Sequence, residues 1–362
     1  MIYLDNAATT QVRPEVRAAM EPFLDRDYGN PSSLHAAGRR ARRALEDARE
    51  LAATVLGADP KEIVFTSGAT ESNALAIAGV AEAHGGGHLV TTAIEHPSVL
   101  ATFERLEKQG WKVTRVPVDG SGLVDPARVA AAVTPKTALI SVMRVNNEVG
   151  SIQPLAAIRK AAPGVTIHTD AAQAVGKVPV HLRDADLVTF SAHKIHGPKG
   201  VGGLWVRKGT KIAAQLVGGG QEFEKRAGTE NVAGAVGLAT AMKLAGPGRM
   251  AELRERLRRG LGAPVDDRAP HILNMAFDGV DGEAAILALD AAGICISSGS
   301  ACASGSTKPS HVLTAMGLPP DVVKSSVRFS LSMLTTDEDI DGAIGIVPKV
   351  IERLRKISPV TR

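Results

Sequence analysis

The stretch Leu187-Val188-Thr189-Phe190-Ser191-Ala192-His193-Lys194-Ile195-His196-Gly197-Pro198-Lys199-Gly200 decides the reading of the fold. Its first five residues read as a strand, and Gly197 and Pro198 keep the following turn from becoming a helix. Comparable short runs recur at 62–66, 88–92, 112–117, 138–142, 166–169 and 201–206, separated by helical patterns between about residues 45 and 240. That alternation is the signature of a wound sheet, so the expected fold class is α/β. Most of these runs are apolar throughout, as strands covered by helices on both faces should be, and the central sheet is expected to be mostly parallel. Composition changes at Gly246-Pro247-Gly248; an amphipathic helix over 250–259 and strand-like runs at 271–277 and 327–331 point to a second, smaller α+β domain.

With 362 residues, 44% hydrophobic and 22% charged, the chain is long enough for two domains and has the balance of a globular protein. Aromatics make up 3%, too few for a surface that stacks single-stranded nucleic acid, and no direct nucleic-acid contact is expected. The net charge of +4 is a small excess, and its two arginine clusters, at 39–43 and 254–259, read as solvated helix faces. Cys295 and Cys302 cannot build a disulfide framework or a zinc site, which fits a reducing compartment; Cys295 reads as a small core residue. No leader-like segment opens the chain and no run is long enough to span a membrane, so a cytoplasmic location with no membrane contact is expected.

Several strand ends carry polar residues. Lys194 ends the turn after 187–191, where an amine can point into a cleft and form a Schiff base, or simply sit exposed. Phe65-Thr66-Ser67-Gly68-Ala69-Thr70-Glu71-Ser72-Asn73 follows a strand and opens a helix, whose backbone N–H groups and Thr70 hydroxyl suit an anion; Ser67 or Thr70 as a plain cap is the alternative. It is neither a Walker loop nor a dinucleotide fingerprint, so ATP and NAD lose support. Asp170, ending His168-Thr169-Asp170-Ala171-Ala172-Gln173, suits a protonated pyridine nitrogen or a helix cap, and no third ligand completes a metal site with His168. His96, in Ile94-Glu95-His96-Pro97-Ser98, can stack on a ring and exchange protons near neutral pH, or be an ordinary loop histidine; Asn146-Asn147-Glu148 could aim an amide at the same place. Finally Cys302 lies within Ser297-Ser298-Gly299-Ser300-Ala301-Cys302-Ala303-Ser304-Gly305-Ser306, polar company that buried inert cysteines rarely keep.

Residues 70, 96, 147, 170 and 194 are what one sheet edge would gather into one cleft. Together with Tyr3-Leu4-Asp5-Asn6-Ala7-Ala8-Thr9-Thr10, Gly29-Asn30-Pro31-Ser32-Ser33, Arg226-Ala227-Gly228-Thr229-Glu230-Asn231 and Val327-Arg328-Phe329-Ser330-Leu331, they make the chain resemble the group I cysteine desulfurases of the NifS/IscS type, which share the class V aminotransferase fold. The resemblance covers nearly the whole chain. It implies the fold type I architecture of pyridoxal-phosphate transferases, with a large cofactor domain at 14–248 and a small domain made of 1–13 and 249–362. It implies pyridoxal 5'-phosphate as cofactor, with Lys194 as the Schiff-base lysine, His96 stacked on the ring, Asp170 on the pyridine nitrogen and Gln173 on the ring oxygen. Asn147 would lie near cofactor and substrate. Ala69, Thr70, Ser191 and His193 would hold the phosphate, with Thr229 supplied across a homodimer. Arg328 would clasp the carboxylate of L-cysteine. Cys302 would take the substrate sulfur as a persulfide, leaving L-alanine, and pass it to a protein acceptor for iron-sulfur cluster assembly or thiolation of tRNA or other targets.

The chain departs from the family pattern at Phe223, where many relatives have arginine, and at Ser332-Met333, where a Gly-Arg or similar pair is frequent. It stops at Arg362, so docking of the iron-sulfur scaffold by a carboxy-terminal extension is not expected. A selenocysteine lyase or aminotransferase of the same fold, and a non-catalytic sulfur-relay scaffold, are the competing readings.

Overall fold

The computed structural model describes residues 1–298 and 309–357; Cys302 lies outside the described residues. After a two-residue strand β1 (Ile2–Tyr3), seven strands build the main sheet: β2 (Ile63–Thr66), β3 (His88–Thr92), β4 (Lys112–Val116), β5 (Thr137–Ser141), β6 (Thr166–Asp170), β7 (Leu187–Ser191) and β8 (Gly202–Val206). Their order is β2-β8-β7-β6-β5-β3-β4. Pairing is parallel from β7 through to β4, and β8 alone runs antiparallel to both its neighbours. The seven expected runs therefore all form strands of a mostly parallel sheet. Boundaries move by a residue where local chemistry intervenes: Glu62 closes a short 3-10 turn, Pro60–Glu62, fixed by an Asp59 capping box.

Strands β2, β3, β7 and β8 are buried along their whole length, which is why their sequences show no polar alternation. The helices Ala36–Leu56 and Val232–Leu244 contribute to the core on one face, and Ala69–His84 and Pro97–Lys108 to that on the other. The connection after β3 leads outward to β4, whereas that after β5 leads the other way to β6. A crevice opens between the carboxyl ends of two such diverging strands. His96 and Asn147 follow those two ends.

A second core gathers residues from both ends of the described chain, Leu4, Leu257, Leu273, Phe329 and Val347 among them. Here β9 (Ile272–Ala276) pairs antiparallel with β11 (Ser326–Ser330), and β1 pairs in parallel with β10 (Ile294–Cys295). The helices Met250–Gly260, Gly282–Ala291 and Asp337–Ile357 pack on them. Arg254 and Arg258, read from the sequence as part of a solvated face, are buried: Arg254 bonds the Ile272 carbonyl and Asp266, and Arg258 the Ala263 carbonyl. Cys295 is half-buried on β10 and not a core residue.

Candidate active site

Three strand ends lie side by side at the carboxyl edge of the sheet. Gly202 of β8 pairs with both Thr66 of β2 and Ser191 of β7, so the turns after β2 and β7 converge over one glycine. A Cβ at Gly202 would stand 2.7 Å from Gly68 Cα. The absent side chain lets the turn fold over the sheet, and the helix Ala69–His84 starts there with no side-chain cap on its N–H groups. The capping alternative for this segment is thus not what forms: Ser67 N–H donates to Glu71, and Thr70 is exposed. Ser191 is buried with its hydroxyl unpartnered.

Lys194 ends the short turn Ala192–Lys194, and its Nζ donates to the Ala7 and Ala8 carbonyls at 2.7 and 2.8 Å. Gln173 Nε2 donates to the same Ala7 carbonyl at 2.9 Å, so lysine and amide share one anchor. Behind Gln173, its Oε1 receives Lys177 Nζ at 3.2 Å and lies 3.3 Å from His271 Nε2. Burial lowers Lys177 from 10.5 to about 7, with Lys194 and Arg328 adding repulsion. His193 lies 3.2 Å from Thr9 Oγ1, and burial first, then nearby lysines, lower it to about 4.

Asp170 ends β6 buried, its Oδ1 accepting from Ala172 N–H at 2.9 Å and its Oδ2 from Asn73 Nδ2 at 2.7 Å. His96 caps the helix Pro97–Lys108, accepting Ser98 N–H on Nδ1 at 3.1 Å. Burial lowers its pKa, Asp170 opposes that, and Lys194 and His311 reinforce it. The preceding Glu95 is fully buried and raised by desolvation to about 8. Both ring nitrogens of His168 meet hydroxyls, of Ser141 at 2.8 Å and Thr189 at 3.0 Å.

From the second core, Arg328 on β11 enters with 1% exposure, donating to the Asn147 carbonyl at 2.8 Å and to Asp5 at 2.9 Å; its Nε is buried without a partner. Its backbone bridges Ser297, two residues before the undescribed stretch that holds Cys302. Of the Asn146-Asn147 pair, Asn146 is the structural member, buried against the Ile94 carbonyl, while Asn147 is half-exposed. Thr229 is exposed, outside this hydrogen-bonded set, on a segment tied to the helix start by Arg226 and Glu71. Phe223 belongs to that segment too. Glu222, Phe223 and Glu224 all have left-handed backbone, held by the buried pair of Glu222 with Arg49 at 2.7 Å, and Arg49 also lies over the Phe223 ring.

Asn73, Ser98, Lys177, His271 and Asp5 were given no role from the sequence. Asn73 left a faint signal, an amide ahead of the apolar run beginning at Leu75; Asp5, His271 and Ser98 meet Arg328, Gln173 and Asn73 far off in the chain, and Lys177, though only four residues from Gln173, reads as an ordinary surface lysine.

This sheet order and this cluster define a class of proteins, and the match is direct: the class V aminotransferase family model fits residues 2–342, and the chain belongs to that family. It is 46% identical over 379 residues to the cysteine desulfurase IscS of Dictyoglomus turgidum, spanning 99% of this chain and 96% of the relative. To the cysteine desulfurase IscS of Methanosarcina thermophila it is 44% identical over 381 residues, spanning 99% and 94%. Among solved structures, a NifS-like protein matches with a TM-score of 0.90 at 38% identity, over 98% of this chain and 100% of that one. SspA, solved in complex with cysteine, matches with 0.82 at 36% identity over 93% and 100%.

Proposed function

We propose that this chain is a cysteine desulfurase that holds pyridoxal 5'-phosphate on Lys194 and carries sulfur from L-cysteine on Cys302. The observation that carries the reading is the shared seat of Lys194 and Gln173 on the Ala7 carbonyl, in the same cleft edge as Asp170, His96 and Ser191. The residues present fit a phosphorylated pyridine aldehyde. The unpartnered Ser191 hydroxyl and the uncapped N–H groups at Ala69 and Thr70 suit the phosphate, with His193 beside them. Asp170 suits the pyridine nitrogen, Gln173 the ring oxygen, and His96 a ring face. Thr229 fits the reading as a contact given to the other subunit of a homodimer, since it is exposed on its own chain.

When bound, the cofactor supplies the electron sink that lets a substrate α-carbon give up its proton. The chain's own groups do the rest. Arg328 takes the carboxylate of cysteine, with its buried Nε and Asn147 close by. Lys194, whose amine would hold the cofactor aldehyde, would be the group that receives and returns protons at the substrate carbon. Cys302 attacks the substrate sulfur as thiolate; the S–C bond breaks toward the substrate, which leaves as alanine, and the new S–S bond leaves a persulfide on the enzyme. A protein acceptor then takes that sulfur, in the reducing cytoplasm that a two-cysteine chain suits. Among the described residues no helix is long and apolar enough to cross a membrane.

A single-turnover assay with L-cysteine tests this, following cofactor absorbance, alanine, and sulfur trapped at Cys302. The parent should give one alanine and one trapped sulfur per site, and Cys302→Ala should lose the trapped sulfur. Cofactor absorbance without alanine would instead favour an aminotransferase.

A further inference from the structure

One polar chain in the site runs through residues to which neither the sequence nor the proposed chemistry gives a role. Asn73 Nδ2 lies 2.7 Å from Asp170 Oδ2 and 3.0 Å from Ser98 Oγ, and Ser98 Oγ lies 2.8 Å from His96 Nδ1. A carboxylate oxygen only accepts, so the amide nitrogen of Asn73 must face Asp170, and its second hydrogen falls to Ser98. Ser98 Oγ is then an acceptor from Asn73, and its own hydrogen is directed at the imidazole. His96 Nδ1 already receives the Ser98 backbone N–H at 3.1 Å. Two donors therefore converge on Nδ1.

We propose that Asn73 and Ser98 are positioning residues that fix the neutral imidazole of His96 with its proton on Nε2, Asp170 setting the direction of the chain. Asn73 is fully buried, so the amide has no water to turn toward. Among the described residues, the other charged or titratable groups that act on the imidazole are Lys194 and His311, the latter on the helix His311–Ala315, with Glu95 next to His96 in the chain. Lys194 and His311 act with burial to keep it neutral, and Asp170 acts against them. In this state His96 presents a hydrogen-bond donor at Nε2. It cannot take a proton there without first losing the one it holds, so the proton-accepting duty stays with Lys194. The tautomer belongs to the chain itself, while its use in handling cysteine rests on the desulfurase reading.

The test is a nitrogen-15 correlation spectrum of the cofactor-loaded enzyme labelled in histidine, with His96 assigned by the signal lost in His96→Gln. The expected result is an unprotonated Nδ1 and a protonated Nε2 through neutral pH. Ser98→Ala should shift the imidazole titration upward and spread the proton over both nitrogens, and Ser98→Thr, which keeps the hydroxyl, should restore the parent spectrum. A protonated Nδ1 in the parent, or a Ser98→Ala spectrum and titration identical to the parent's, would overturn the assignment. The expected spectrum in an enzyme that yields no alanine from cysteine would support the tautomer and sink the desulfurase reading.

Discussion

Lys177 brings an ammonium into a buried place where Gln173 Oε1 receives it at 3.2 Å. One hydrogen bond does not replace full hydration, so the folded protein binds this proton less well than the unfolded chain. The folded value of about 7 lies below the ordinary 10.5. Between those two values the unfolded state holds the proton and the folded state does not, so this group makes stability rise as pH increases from about 7 toward 10. Below 7 both states are protonated and the penalty is constant. Lys177→Met should therefore flatten that rise relative to the parent and gain a few kcal/mol near neutral pH, read from urea midpoints at several pH values. The same variant should loosen Gln173, because Oε1 loses its cationic donor. None of this is legible in Ala174-Val175-Gly176-Lys177, where the lysine looks like any surface lysine after a glycine. Its burial is decided by Gln173 and by His271, which lies almost a hundred residues further on.

Among the elements, β8 shows how a strand serves a site without contributing a functional side chain. Gly202 lies between Thr66 and Ser191, with Gly68 Cα and the Phe190 carbonyl both 2.7 Å from where a Cβ would be. Both neighbours are backbone, so neither can rotate away. Gly202→Ala should push the turn at Gly68 off the sheet and cost about 1–3 kcal/mol in stability. It should also weaken the affinity for pyridoxal phosphate more than that for pyridoxal, since the displaced N–H groups are the ones proposed to hold the phosphate; an absorbance titration with each compound checks this. The strand itself was legible, because a run buried on both faces must be apolar. Its glycines were legible only as interruptions. The Glu222-Phe223-Glu224 turn escaped sequence reading altogether: three side-chain-bearing residues in left-handed backbone cost about 1–2 kcal/mol each. The bidentate ion pair of Glu222 with Arg49, together with the Phe65 N–H, holds them there.

At the scale of the whole molecule, residues 2–10 stitch the second core to the lysine. Leu4 is buried in that core, Asn6 Nδ2 donates to the Ser330 carbonyl at 2.9 Å, Ala7 and Ala8 seat Lys194, and Thr10 donates to the His193 carbonyl. Asn6→Ala removes a buried donor and leaves the Ser330 carbonyl one partner short, a loss of about 1–3 kcal/mol. Because the same segment carries the Ala7 and Ala8 carbonyls, the variant should also change the pH at which cofactor absorbance titrates, whereas an equally destabilising change far from the segment should not. The α/β class, the parallel sheet and the convergence of strand-end residues on one edge were readable, because each follows from local pattern. The stitching was not, since it depends on pairs such as Ile2 with Ile294 and Asp5 with Ser330, for which neither partner carries a local signal.

That pairing also has a consequence during synthesis. Ile2 is made well before Ile294 and meets this sheet neighbour only roughly 15 to 60 seconds later, at about 5–20 residues per second. Throughout that interval the large sheet can form and residues 7–10 can seat on Gln173, His193 and Lys194, while Ile2 stays unmatched. Its full seat closes only once Ile294 and Ser330 have been made, so the strap that carries the Ala7 and Ala8 carbonyls is fixed at both ends after the large sheet is complete.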